Sequence, residues 1–187
     1  MKIVAIAGSL RADSMNRQLA EEARQAVQRL DPSIEFSILN WENVPIFNED
    51  AEFPTPAPMR LVRQEIAQAN GVWLFSPEYN HGIPGPLKNL LDWLSRPLED
   101  GSAHVLFNKP VAISGISPAM TGTSHAQDEL LVVLGFIGCR TMTMPRLVVG
   151  NALTQMDGNT LRLESSLPYL ERQAQAFVDF IAGTCNG

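Results

Sequence analysis

The chain has 187 residues, 45% of them apolar and 18% charged, with a formal net charge of -6. That length suits one domain, residues 1–187, with a substantial core. No apolar run nears the ~20 residues of a membrane helix, and scattered Lys and Arg under a net negative charge argue against a nucleic-acid surface.

Lys2-Ile3-Val4-Ala5-Ile6-Ala7 reads as a short apolar strand, and with it so near the first residue no signal peptide is expected. A polar turn, Gly8 to Arg17, leads into a helix to about Leu30, on which Leu19, Ala23, Ala26 and Leu30 recur at helical spacing. Ile34 to Leu39 alternates at period 2, as an edge strand does. Asn40 to Pro58 holds Pro45, Pro54, Pro56 and Pro58 and is too Pro-rich to be regular. Leu61, Val62, Ile66 and Ala69 mark a helix stopped at Asn70-Gly71.

Val72-Trp73-Leu74-Phe75 is a buried strand, and Ser76 to Pro97 (SPEYNHGIPGPLKNLLDWLSRP) follows it. Pro86 suits the first position of a helix bearing Leu87, Leu90, Leu91 and Leu94. Pro110 to Gly115 gives a fourth strand, Ser117 to Ser124 a small-residue loop, and His125 to Ile137 a helix ended by Gly138. Cys139 to Met144 extends into a fifth strand near Leu147-Val148-Val149. Ser165 or Ser166 caps a last helix. Two distant cysteines, Cys139 and Cys185, supply no disulfide framework and no metal motif, which fits a reducing cytoplasm.

Alternating strands and helices predict an α/β domain: a doubly wound, five-stranded parallel sheet in order 2-1-3-4-5 with helices on both faces. Its switch point, between strands 1 and 3, brings the Ser9–Asn16 turn and the Pro77–Gly82 turn to one edge. A Gly/Ser turn entering a helix N-terminus attracts anions through free N–H groups and the helix dipole. Ser9, Ser14 and Asn16 add neutral donors, and Arg11 a cation that can bond two oxygens. The turn has no Walker Lys, no second or third dinucleotide-fingerprint glycine and no Cys nucleophile, and Ser76 stands where a receiver domain has its Asp. A terminal phosphate monoester, such as that of FMN, remains. Ser14 or Asn16 acting only as a helix cap, and Arg11 only as a solvated surface charge, are the alternatives.

In both loops the chain resembles the NADPH-dependent FMN reductase family, a flavodoxin-like group that includes chromate and quinone reductases and some azoreductases. The hallmark Gly-Ser-Leu-Arg and Ser-x-Asn match Gly8 to Arg11, Ser14 and Asn16. The hallmark Pro-Glu-Tyr-Asn, Pro and Leu-Lys-Asn-x-x-Asp-Trp match Pro77 to Asn80, Pro84, Leu87 to Asn89, Asp92 and Trp93. Pro45 to Asp50 also resembles a family segment. The family's Gly-rich third loop is replaced here by Ser117-Pro118-Ala119-Met120-Thr121-Gly122-Thr123-Ser124.

The resemblance implies non-covalent FMN, its phosphate on Ser9, Arg11, Ser14, Met15 and Asn16 and its ring beside Pro77, Glu78, Tyr79, Asn80 and Ser117. It further implies NADPH or NADH as hydride donor, a small-molecule acceptor such as a quinone, and a homodimer or homotetramer. Chromate, azo or nitro compounds and free flavin are further acceptors, and a flavodoxin-like carrier serving a protein partner is the rival reading. The chemistry rests on the flavin, so no catalytic side chain and no metal is expected, and His81, His104 and His125 are expected to be dispensable. Backbone N–H groups near Asn80 and before the helix at Ser124 are candidates for stabilising charge on the ring. Trp41, Phe47 and Phe53 either wall the ring or pack in the core. Lys88 and Asp92 suit a surface ion pair, and Cys139 an inert thiol.

Overall fold

The computed structural model describes residues 1–184, so Cys185 lies outside the described residues. Strand β1 (Lys2–Ala7) leads through the first loop into α1 (Met15–Leu30) and the edge strand β2 (Glu35–Ile38). After the Pro-rich stretch come α2 (Ala57–Gln68), β3 (Gly71–Phe75), α3 (Gly85–Leu94), β4 (Pro110–Ile116) and α4 (Ser124–Phe136). Short strands β5 (Arg140–Thr141), β6 (Leu147–Val149), β7 (Met156–Asp157) and β8 (Thr160–Leu161) precede the closing helix α5 (Leu167–Thr184).

The main sheet is parallel, in order β2-β1-β3-β4-β5, with β6 also on β4. Successive side chains of a strand face opposite sides, and the core divides accordingly. Ile3, Ala5, Trp73 and Phe75 pack against α1 and α5 through Leu19, Ala23, Leu170 and Phe177. Val4, Ile6, Val72 and Leu74 pack against α2, α3 and α4 through Val62, Leu91 and Leu130. Helices cover both faces, as a doubly wound sheet requires. The fold is flavodoxin-like.

Beyond shifts of a single residue at several element ends, three features depart from the sequence expectation. Helix α2 starts at Ala57, four residues before Leu61, because Pro58 falls in the first turn, where a missing N–H costs nothing. Pro86 likewise occupies the second helical position of α3 rather than the first. The fifth strand is split: β5 pairs with Pro110 and Val111, β6 with Ser114 to Ile116. Pro145 lies between them and has no ladder donor to give. The β7–β8 hairpin is an element that strand periodicity does not reveal, although Gly158-Asn159 is a hairpin-turn dipeptide and Gly158 has φ 57°. It docks on α1 through Gln18, which donates to Asn159 O at 2.9 Å and accepts from Leu161 N at 2.7 Å.

The Pro-rich stretch is held by α3. Pro45 O accepts from Asn89 Nδ2 and from Trp93 Nε1, each at 2.9 Å, and Asn89 Oδ1 accepts from Phe47 N at 2.7 Å. Phe47 stands edge-on to Trp93 with ring centroids 5.0 Å apart. Trp41 is buried, its indole N–H donating to Ala7 O at 3.2 Å. Trp41 and Phe47 are thus packing residues, while Phe53 is half exposed.

Candidate functional site

The first loop leaves β1 at Gly8, whose N–H donates to Phe75 O at 2.8 Å and ties the ends of β1 and β3 together. The turn is tight here: a Cβ would stand 2.8 Å from Leu87 Cδ2 and 3.2 Å from Pro77 Cδ, so a side chain would have to displace Leu87. Ser14 then caps α1, its Oγ accepting from Arg17 N at 3.3 Å. The amides of Met15 and Asn16, at the first two helical positions, have no partner within the described residues. These are the orphan donors that suit an anion. The Ser14 hydroxyl accepts in this cap and keeps its own proton to donate outward.

Asn16 does something the sequence did not disclose. Its buried amide spans to the end of β4, donating to Ile116 O at 3.0 Å and accepting from Ile116 N at 3.1 Å. The side chain fastens the start of α1 to the sheet, which leaves the unpartnered backbone amide as the group of Asn16 free to bind an anion. Arg11 lies exposed at the mouth and donates to Asp13 O at 2.7 Å.

The second loop approaches from β3. Tyr79 Oη lies 3.3 Å from Ser9 Oγ, so the two loops touch. Asn80 and His81 have φ 53° and 61°, and Tyr79 and Gly82 exchange both backbone hydrogen bonds, the pattern of a tight two-residue turn with both central residues left-handed. Glu78 is not a solvated charge: its side chain is 7% exposed, and its Oε2 accepts from Ala126 N in the first turn of α4 at 3.1 Å. Burial alone would raise the Glu78 carboxyl. The Ala126 amide and His125 outweigh that and hold it below its ordinary value.

Ser9, Arg11, Ser14, Met15 and Asn16 from the first loop therefore meet Pro77, Glu78, Tyr79 and Ser117 around a single cleft of about 140 Å³. Asn80 does not join them; it sits exposed at the tip of its turn. Ile116 and Pro118 also line the cleft. Ile116 ends β4 at the carboxyl edge of the sheet, where an α/β site lies, and Pro118 neighbours Ser117, so both were accessible to the same topological argument. Arg11 is the cation of the lining and Glu78, already engaged by α4, its carboxylate. The unpartnered amides, hydroxyls and Arg11 fit a phosphate monoester, and Pro77, Tyr79, Ile116 and Pro118 offer apolar surface beside it.

A family model described as NADPH-dependent FMN reductase matches residues 1–154. The chain belongs to this family. Among curated relatives of this FMN reductase family member, a 2-hydroxy-1,4-benzoquinone reductase from a Burkholderia species is 35% identical over 96% of this chain and 93% of that protein. A quinone reductase from Escherichia coli K12 is 33% identical over 97% and 95%. Among solved structures, the flavoenzyme NAD(P)H:(acceptor) oxidoreductase FerB of Paracoccus denitrificans aligns with a TM-score of 0.81 and 29% identity over 97% of each chain. The protein is an oxidoreductase of a family that uses FMN and NAD(P)H. No described helix is long and apolar enough to cross a membrane.

Proposed function

We propose that this FMN reductase-family enzyme transfers electrons from NADPH or NADH through FMN to a quinone, acting in the cytoplasm as a homodimer or homotetramer. The observation that carries the reading is the meeting of the two loops in one cleft, with free helix amides and Arg11 at one end and apolar surface at the other. Ser9, Arg11, Ser14 and the amides of Met15 and Asn16 would hold the phosphate, and Pro77, Glu78, Tyr79 and Ser117 would border the ring. When bound, FMN supplies the hydride-accepting and hydride-donating centre. The chain's part is to anchor the phosphate, orient the ring by backbone and apolar contacts, and limit water at one face. The quinone reductases among the relatives support a quinone as acceptor.

The test is the visible absorption spectrum of FMN-reconstituted protein, recorded anaerobically before and after NADPH and then after a benzoquinone. Bound flavin bands that bleach with NADPH and return with the quinone are expected. Bound flavin that stays oxidised would replace the enzyme reading by a carrier that needs a partner, and failure to retain flavin would remove the phosphate-site assignment.

A further inference from the structure

At the rim of the cleft, outside the phosphate end, three ligand-type atoms converge: one on Glu78, which also lines the cleft, and two on histidines that the proposed chemistry does not use. His125 Nδ1 lies 3.1 Å from Glu78 Oε1, His81 Nδ1 lies 3.4 Å from the same oxygen, and the two Nδ1 atoms are 3.3 Å apart. They come from two elements: Glu78 and His81 from the loop after β3, His125 from the first turn of α4.

Hydrogen bonding accounts for at most two edges of this triangle at once. The carboxylate has no proton, and each imidazole Nδ1 carries at most one. If both imidazoles donate to Glu78, two N–H groups face each other across 3.3 Å. If one is unprotonated at Nδ1, its lone pair faces the carboxylate oxygen. Every tautomer assignment leaves at least one edge with two donors or two acceptors opposed. A cation at the centre satisfies all three edges together.

The dimensions suit one kind of cation. A tetrahedral zinc with bonds of ~2.0–2.1 Å holds its ligand atoms roughly 3.3–3.4 Å apart, close to the observed edges. Two imidazole nitrogens and one carboxylate oxygen form a borderline ligand set that favours Zn²⁺ and its transition-metal neighbours over Mg²⁺ or Ca²⁺. The second carboxylate oxygen is fixed by the Ala126 amide, the outer-shell orientation that metal-ligating carboxylates need. The His81 and His125 side chains are 77% and 49% exposed, leaving access from solvent and a fourth coordination position open.

We infer that Glu78, His81 and His125 form a binding site for a divalent transition-metal ion, of the zinc type, at the rim of the flavin cleft. The ion would tie the Tyr79–Gly82 turn to the start of α4. It adds to the hydride chemistry proposed above and does not depend on it.

Zn²⁺ titration of the purified protein by calorimetry, in a buffer that does not chelate metal, tests the site, with histidine ¹⁵N NMR as the second readout. The chain has 3 histidines, so each resonance can be assigned. Saturable binding of one Zn²⁺ per chain is expected, with shifts at His81 and His125 and none at His104. His81→Gly, which suits the left-handed backbone there, and His125→Gln should each weaken binding by at least about tenfold, the scale that even outer-shell partners command. Circular dichroism of each variant checks folding. Absence of saturable binding in the wild type, undiminished affinity in both folded variants, or a shift confined to His104 would overturn the assignment, whatever the enzyme does with NADPH.

Discussion

Arg11 is the positive side chain of the cleft, and its contact with Asp13 O holds it at the mouth. A guanidinium bonded to a phosphate is worth enough that Arg11→Ala should weaken FMN binding by about tenfold or more. Thermal stability of the flavin-free protein should stay within about 0.5 kcal/mol, as for other surface changes. Fluorescence titration of FMN measures the first effect and a melt the second; an unchanged flavin Kd would remove the assigned role. His104 is the opposite case, a group that matters to stability and touches no site. Its buried Nδ1 has no partner among the described residues, and desolvation, outweighing a backbone contact with Ile137, holds its pKa below the ordinary value. The unfolded chain therefore takes up a proton at about pH 6.5 that the folded chain refuses. The stability contributed by neutral His104 is present above that pH and lost as pH falls through the lowered folded value. Urea midpoints at about pH 7.5 and about pH 5.5 should fall less in His104→Gln than in the wild type. Cys139, pushed up to about 12 by burial, is protonated throughout this range and inert as a nucleophile.

Between elements, the tightest polar contact of the core joins β3, β4 and α5. Trp73 Nε1 donates to Ser114 Oγ at 2.9 Å, Ser114 Oγ donates to Gln173 Oε1 at 2.6 Å, and Gln173 Nε2 donates to Ile113 O at 2.8 Å. All lie in the interior. Ser114→Ala leaves the indole N–H and the amide oxygen buried without partners, each at ~1–3 kcal/mol. Chemical denaturation should show a loss of about that size with an unchanged m-value, whereas a neutral result would mean that the gap is filled by water. Element existence was readable throughout because Leu19, Ala23 and Ala26, or Leu87, Leu90, Leu91 and Leu94, repeat at helical period in the sequence itself. What stayed hidden depends on partners far along the chain. The break between β5 and β6 is set by their alignment on β4, and the place of the β7–β8 hairpin by Gln18 on α1.

For the whole molecule, strand order alone places the two loops at one edge, so most of the cleft could be foreseen from Ser9 to Asn16 and Pro77 to Tyr79. The actual work of Asn16 and Glu78 could not. One reaches Ile116, 100 residues on, and the other Ala126, 48 residues on, and neither contact leaves a local trace. The surface adds a further expectation. Val132 and Phe136, four apart on one face of α4, are 73% and 91% exposed, unusual for apolar side chains of a lone chain. Sedimentation should find a dimer or larger species, and Phe136→Asp should shift it toward monomer; a monomeric wild type would refute the expected assembly.

Finally, Pro45 and Phe47 belong to one segment that resembles the family, and Asn89 and Trp93 to another, 42 to 48 residues away, yet three hydrogen bonds join them. A change at position 89 or 93 removes one of the two donors to the carbonyl of residue 45, and a change at 89 also frees the amide of Phe47, so each loosens the loop's hold on the helix. Structurally the two segments form one transplantable module, and a graft of the loop into another chain should hold its shape better when the helix travels with it.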